Sequence, residues 1–473
     1  MSTTTQKPSL VGRALRLVTN VHDDEIPLAL VLSLNVFLLL TAYYVIKPVR
    51  EALILALASG AEYKSYMSAV IALALLVAVP AYARLVDRLP RLKLVVGVTL
   101  FFASHLVLFY FGSQIEALRA SLGLVFYVWI GVFNMMVVAQ LWSFATDLYD
   151  PERGKRLFPL VALGASLGAA LGSKIAGLLV EPLGVSAMLL VSAALLVGCA
   201  WLFVKAERLA TASRSALPAA PQKAAKPAAP AAPADRGGAF QLVFRHRYVA
   251  LIAVLTAVYN FANSNGEYML GKVVKSTALA AVAAGSLAPH DVGAFIGKSY
   301  ADFFFAVNVV GVLLQAFVVS RVVRYGGLGV ALLVLPVIAL SNGLAMLAWP
   351  LLSVIRAGKT LENATDYSLN NTVRQLLWLP LSPALKYKAK QAVDTFFVRL
   401  GDVSSALLVA LGSQAFAWSV REFAVANAVL AVIWLGLGAA ILLEHRRLVP
   451  REPASRSPVT PLPRMTEAGA TAA

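Results

Sequence analysis

Charge is scarce in this 473-residue chain: 14% of residues are Asp, Glu, Lys or Arg, well below the roughly 25% of a soluble domain, and 59% are hydrophobic. That deficit of polar surface excludes a single water-soluble globule and implies contact with lipid. Cysteine is scarcer still. The one cysteine, Cys199, lies in an apolar stretch, which excludes an intramolecular disulfide and argues against a metal cluster. Five histidines are scattered without a spacing suited to shared ligation, so neither a metal nor another cofactor is expected. No nucleophile–base pair stands out, which argues against an enzyme. The polar stretch 1–25 lacks the apolar core and small-residue cleavage site of a secretory signal, so the first span is expected to stay in the mature protein.

What the chain does have is apolar runs of about 20 residues, each long enough to cross roughly 30 Å of hydrocarbon as a helix. A transmembrane barrel would instead alternate apolar and polar residues. Hydropathy places spans near 26–58, 63–86, 92–112, 121–148, 157–180 and 184–205, then 247–277, 295–321, 327–349, 352–379, 387–419 and 421–445. The expected fold is an all-α polytopic membrane protein of about a dozen helices in two six-helix halves. The halves are 1–205 and 241–448, joined by an Ala/Pro-rich cytoplasmic linker at 206–240 and followed by a disordered tail at 449–473.

A net charge of +17 would suggest nucleic acid in a soluble protein. Here the basic residues gather at span edges, as in Arg84/Arg88/Arg91/Lys93, Arg153/Lys155/Arg156 and Lys386/Lys388/Lys390. They fall on one side, so both termini are expected in the cytoplasm and the protein in the cell inner membrane, with no nucleic-acid partner.

The two halves echo each other loosely. Ala83–Arg88 ends the second span and Ser320–Tyr325 the eighth, both with closely spaced arginines; Leu163-Gly164 and Leu400-Gly401 each follow a basic loop. Parallel duplication of six-helix halves is the architecture of major facilitator transporters, which hold substrate near midplane.

Polar residues inside such spans are informative, because an ionisable group at mid-membrane costs about 2.5–3.5 kcal/mol on insertion scales. Tyr43, Lys47, Arg50 and Glu51 share one face of the first span, with Pro48 breaking the ladder beside them. The competing reading is a Lys47–Glu51 ion pair at the membrane edge; Arg50 would then remain as an extra cation. The seventh span carries Asn260, Asn263 and Glu267 in register. The tenth carries Asn363, Tyr367, Asn370 and Arg374, with Asp366 and Asn371 alongside. Gln140 lies deep in the fourth span, whereas Asp147 reads as a loop carboxylate. Lys47 and Arg50 facing Arg374, with few deep carboxylates, imply a central field that attracts an anion.

Several stretches together resemble the nucleotide transporters, or ATP/ADP translocases, of plastids and obligate intracellular bacteria: Tyr43–Glu51, Gly60–Tyr63, Gln140–Phe144, Gly154–Leu160, Gly266–Tyr268, Arg374–Pro380, Lys386–Asp394 and Arg399–Gly401. The resemblance runs through both halves in order. It implies a bacterial member of that family, related to the major facilitators. Arg50 and Arg374 would occupy its basic positions in the first and tenth helices and Glu267 its acidic position in the seventh. Gln140 departs from the pattern, standing where the family has a carboxylate, which changes the cavity charge and the number of titratable groups.

The resulting expectation is a secondary transporter of anionic nucleotides by alternating access, through ATP/ADP exchange or nucleotide uptake, with proton coupling as an open alternative. Its substrate-binding residues would be Lys47, Arg50, Gln140, Asn263, Glu267, Asn370 and Arg374. Transport of another organic anion is the nearest alternative, and a receptor or scaffold without transport is an alternative of another class. Gly293–Ser299 superficially resembles a phosphate loop, but has three rather than four residues between its glycines and no surrounding strand–loop–helix unit.

Overall fold

The computed structural model describes residues 19, 21–23, 25–149, 151–215, 238–383 and 385–448. The tail expected at 449–473, the middle of the expected linker and most of the N-terminal stretch lie outside them. The described chain is helical almost throughout. The first segment runs α1 Ile26–Leu55, α2 Gly60–Arg88, α3 Arg91–Ser113, α4 Arg119–Leu148, α5 Pro151–Leu183 and α6 Ala187–Ser215. The second runs α7 Ala239–Arg245, α8 Arg247–Ala283, α9 Val292–Phe317, α10 Gly327–Ala348, α11 Leu352–Thr365, α12 Asn371–Trp378, α13 Val398–Ala410 and α14 Val420–Leu448.

Among the described residues, ten helices are long and apolar enough to cross a membrane, and an eleventh is counted if α7 and α8, bent by 107° at their junction, form one span. The protein is therefore an all-α, multi-pass membrane protein. The expected tenth span departs most from a plain hydrophobic helix. It is helical, but a five-residue π turn at Asp366–Asn370 separates α11 from α12, and its polar residues keep it out of that count. Residues 206–215, expected to open the linker, instead extend α6: Ala206 and Ala210 are buried, and Glu207 meets Arg91 at 2.6 Å.

Small residues set how closely the helices approach. Gly164, Gly168 and Gly172 recur every four residues on α5 and face α1. A Cβ at each would lie 2.6, 2.2 and 2.5 Å from the carbonyl oxygens of Ser33, Phe37 and Thr41. Only glycine permits such backbone contact, the usual basis of close helix pairs in lipid, where no hydrophobic force drives helices together. In the second segment Gly401 does the same on α13, where a Cβ would lie 2.5 Å from the Ala257 carbonyl of α8. The echoed Leu-Gly pairs thus each press a later helix on the opening long helix of their own segment.

The start of α1 is fixed by Glu25, whose carboxylate takes two bonds from Arg156 at 2.8 and 2.9 Å and one from the His22 N–H at 3.1 Å. The opposite end ties the two segments together. Lys272 meets Glu62 at 2.9 Å, Lys298 meets Glu181 at 2.8 Å, Gln414 donates to the Tyr66 hydroxyl at 3.0 Å, and Lys275 donates to the carbonyls at the end of α1, including that of Ala58 at 2.6 Å. Lys298 belongs to the glycine-rich stretch that resembled a phosphate loop, and that stretch lies within α9.

Candidate functional site: a polar cavity between the two segments

A cavity of about 250 Å³ lies between the segments, walled by α1, α2, α4, α8, α9, α11, α13 and the π turn. Of the seven residues singled out in the sequence, Lys47, Arg50, Asn263 and Glu267 line it. Gln140, Asn370 and Arg374 are not in its wall. The Gln140 amide is buried, and among the described residues neither its oxygen nor its nitrogen has a hydrogen-bond partner. Asn370 donates to Asp366 at 2.7 Å, and Arg374 pairs with Asp394 at 2.9 Å.

The charge arrangement differs from the one expected. Glu51 does not reach Lys47 one turn away, so the competing ion-pair reading does not hold. It pairs with Arg50, its neighbour in sequence, and with Lys64 of α2 at 2.8 Å. Arg50 is therefore the neutralised cation and Lys47 the remaining one. Nor are deep carboxylates few: Glu51, Glu267, Glu362, Asp366 and Asp402 all lie at or behind the cavity wall. The expectation failed because helical spacing places side chains on a face but does not say which neighbouring helix supplies the counter-charge.

Two buried lysines at the site escaped sequence reasoning. Lys64 is buried and bridges the segments, meeting Glu51 at 2.8 Å, Glu267 at 3.5 Å and the Tyr300 hydroxyl at 3.3 Å. Lys359 is fully buried on α11; it pairs with Glu362 at 2.8 Å, donates to Asn263 at 3.0 Å and lies 4.0 Å from Glu267. It stands four residues before Asn363, so the polar stripe of the tenth segment simply extends one turn further than was read. Glu267 also accepts from Asn363 at 3.0 Å, and so is held by both segments.

Each carboxylate in the wall is satisfied. Asp402 takes Ser264 at 2.8 Å and Arg399 at 3.0 Å; Asp366 accepts from Tyr259 at 2.5 Å and from Asn370. Among the described residues Lys47 has no carboxylate within 4.0 Å. Its ammonium instead lies 4.0 Å from the Phe304 ring centroid, 5.1 Å from Tyr44 and 5.9 Å from Tyr43. Such cation–π contacts are worth about 2 kcal/mol when desolvated, less than the several kcal/mol it costs to bury an ion. Lys47 is therefore a buried amine beside open volume whose charged form has no paired carboxylate. Across it stand hydrogen-bonding groups: Ser65, Ser68, Asn263 and Tyr367.

Comparison with known proteins places this geometry. A family model of the Major Facilitator Superfamily matches residues 32–383. The chain is 25% identical to ADP,ATP carrier protein 1 of Chlamydia trachomatis, over 92% of this chain and 91% of that carrier. It is 24% identical to ADP,ATP carrier protein 1 of Chlamydia muridarum over the same shares. Among solved structures, the nucleoside transporter NupG superposes with a TM-score of 0.60 at 10% identity, over 90% of this chain and all of that one (100%). A peptide transporter of the POT family in complex with sulfate gives 0.56 at 14% identity, over 89% and 94%. Long apolar helices, two segments meeting around a polar cavity, and a match over most of the chain converge: this protein belongs to the Major Facilitator Superfamily and is a polytopic membrane transporter of that fold rather than an enzyme.

Proposed function

We propose that the protein is a secondary transporter of phosphorylated anions, with nucleotides such as ATP and ADP as the favoured cargo. The observation that carries this reading is Lys47: a buried ammonium without a carboxylate, facing the cavity, is most readily neutralised by an anion that comes and goes. Arg50 and Lys64 already share Glu51, so they add positive field without needing the substrate for neutrality. The end-to-end similarity to ADP,ATP carrier proteins supports a nucleotide over other anions.

In this reading twelve crossings, including α7–α8 and the polar α11–α12 run, form two sets of six on either side of the segment outside the described residues. Both termini face the cytoplasm of the cell inner membrane. The ties Glu62–Lys272 and Glu181–Lys298 then close the external side, and alternating access consists of breaking them while the opposite side closes. Gln140 and Arg374 act from outside this cavity, the latter through its pair with Asp394.

One observation favours a second reading within the same class. A cavity of about 250 Å³ is below the ~300–1,000 Å³ usual for ligand sites, which suits an organic anion smaller than a nucleoside triphosphate unless the cavity widens. Counterflow in proteoliposomes separates the two. Labelled ATP and ADP exchange in the wild type and fail with Arg50→Ala or Lys47→Met. If all nucleotides fail in active protein while a small phosphorylated or carboxylated metabolite exchanges, the nucleotide assignment falls and the second reading stands. Failure of every anion refutes both.

A further inference from the structure

A second cavity, of about 710 Å³, opens on the flank of the molecule between α9 and α11, remote from the central one in its lining. Ala306 and Val310 of α9 and Leu361 of α11 form its apolar walls, and Ser353, Arg356 and Thr360 of α11 are its polar side. Its surroundings are those of a lipid-facing surface: Val309, Val312, Leu313 and Leu361 are all exposed large apolar side chains. Trp349 and Leu351, exposed just before α11 begins, mark the level where aromatic residues gather at the edge of a bilayer.

Arg356 is the anomaly in this surface. It is the fifth residue of α11, so it sits about 6 Å along the helix from Leu352, inside the span rather than beyond it. It is exposed. Among the described residues its guanidinium has no carboxylate, no hydrogen-bond acceptor and no ring within reach; apart from the helix's own backbone bonds, the residue's one contact is the Thr360 hydroxyl donating to its backbone carbonyl at 2.7 Å. Arginine on a lipid-facing helix is rare because it is costly, and it ordinarily pairs or snorkels to the interface. Here the protein leaves it without a counter-charge, at the rim of an apolar cleft.

We propose that this cleft is a binding site for an anionic phospholipid, with the phosphate on Arg356 and an acyl chain between α9 and α11. Arginine's planar fork matches two phosphate oxygens at once. The Ser353 hydroxyl, on the same side of the cleft, is available to a further headgroup oxygen. A lipid with net negative charge is preferred over a zwitterionic one, whose ammonium group would meet the same arginine. The site has a route to the transport cavity. Arg356 precedes Lys359 by three residues on the same helix, and Lys359 holds Asn263 and Glu362, so occupancy of the flank bears on the helix that positions the cavity wall.

Native mass spectrometry of the full chain, released from mixed micelles of phosphatidylglycerol and phosphatidylcholine with identical acyl chains, tests this. The wild type retains phosphatidylglycerol in preference to phosphatidylcholine. Arg356→Ala loses that preference, with affinity down at least about tenfold, and Arg356→Lys keeps part of it. Because the guanidinium touches nothing in the protein, Arg356→Ala unfolds at the wild-type temperature in lipid-free detergent, which keeps the comparison valid. Arg421→Ala, removing an exposed cation at the same end of the molecule, leaves the adduct intact. The proposal is overturned if Arg356→Ala retains the adduct, if Arg421→Ala loses it equally, or if the two lipids bind alike.

Discussion

Replacing Lys47 by methionine separates a substrate-binding charge from a structural one. The change removes the ammonium but keeps an unbranched apolar side chain among Tyr43, Tyr44 and Phe304. If Lys47 is the cation that the cargo neutralises, the variant loses one charge-assisted hydrogen bond to the bound anion, about 1.5–3 kcal/mol, or roughly 10- to 150-fold in Kd. Stability moves the other way. The folded protein no longer buries an amine whose charged form lacks a paired carboxylate, and forgoes only about 2 kcal/mol of ring contacts. Lys47→Met is therefore expected to unfold at the same temperature as wild type or higher, while Lys47→Arg retains anion binding in part. Calorimetric titration with ATP, and thermal unfolding of the same samples without it, give both quantities. Unchanged affinity in Lys47→Met refutes the reasoning outright. A Tm lowered by several degrees would show that the ammonium has a structural partner, and would refute the claim that it stands uncompensated.

Three further outcomes are expected. Glu51→Gln leaves Arg50 and Lys64 without the carboxylate they share, a loss of about 3–5 kcal/mol for a broken buried pair, read as a large fall in Tm that Lys47→Met does not show. Lys272→Ala removes a partly exposed tie worth about 0–1 kcal/mol, so external thiol labelling of Ser65→Cys, at a buried position in the cavity wall of a protein whose native Cys199 is also buried, accelerates several-fold at most, with little change in Tm. Burial opposes ionisation of Glu25, but the Arg156 guanidinium and the His22 N–H outweigh it and hold its carboxyl below the ordinary 4.5. A carboxylate depressed in the folded state stabilises fully above its unfolded pKa and loses that contribution as pH falls through the folded value. The acid-side fall in Tm below about pH 4.5 is therefore shallower in Glu25→Gln than in wild type.

The sequence carried the spans well because lipid forces each to satisfy its backbone within itself, which makes apolar length nearly sufficient. It carried α11–α12 less well: a π turn and a polar stripe are local responses to the cavity and to neighbouring helices, which single-helix periodicity does not contain. Four of the seven site residues lie together because their helices converge. Arg374 lies outside the cavity wall and pairs with Asp394, twenty residues later, through a contact that no spacing rule describes. Lys64 was missed for a related reason. It stands alone on α2 as a cation near a helix start, and only its proximity to Glu51 and Glu267 reveals it. Hydropathy opened the seventh span at 247, where α8 begins, but did not show the short helix α7 bent against it.

The glycine contacts of α5 on α1 bear on how the site could move. Three points of backbone contact, between Gly164 and Gly172, fix both the spacing and the tilt of that pair, so α1 cannot pivot without carrying α5. Lys47, Tyr43 and Tyr44 therefore travel as one body, whereas Phe304 belongs to α9 across the seam. The aromatic enclosure of the ammonium is thus assembled from both sides of the moving boundary, and separation of the two would strip one wall from it. Hydration of Lys47 would then rise and fall with each cycle, making the solvent around a single nitrogen the quantity that alternates.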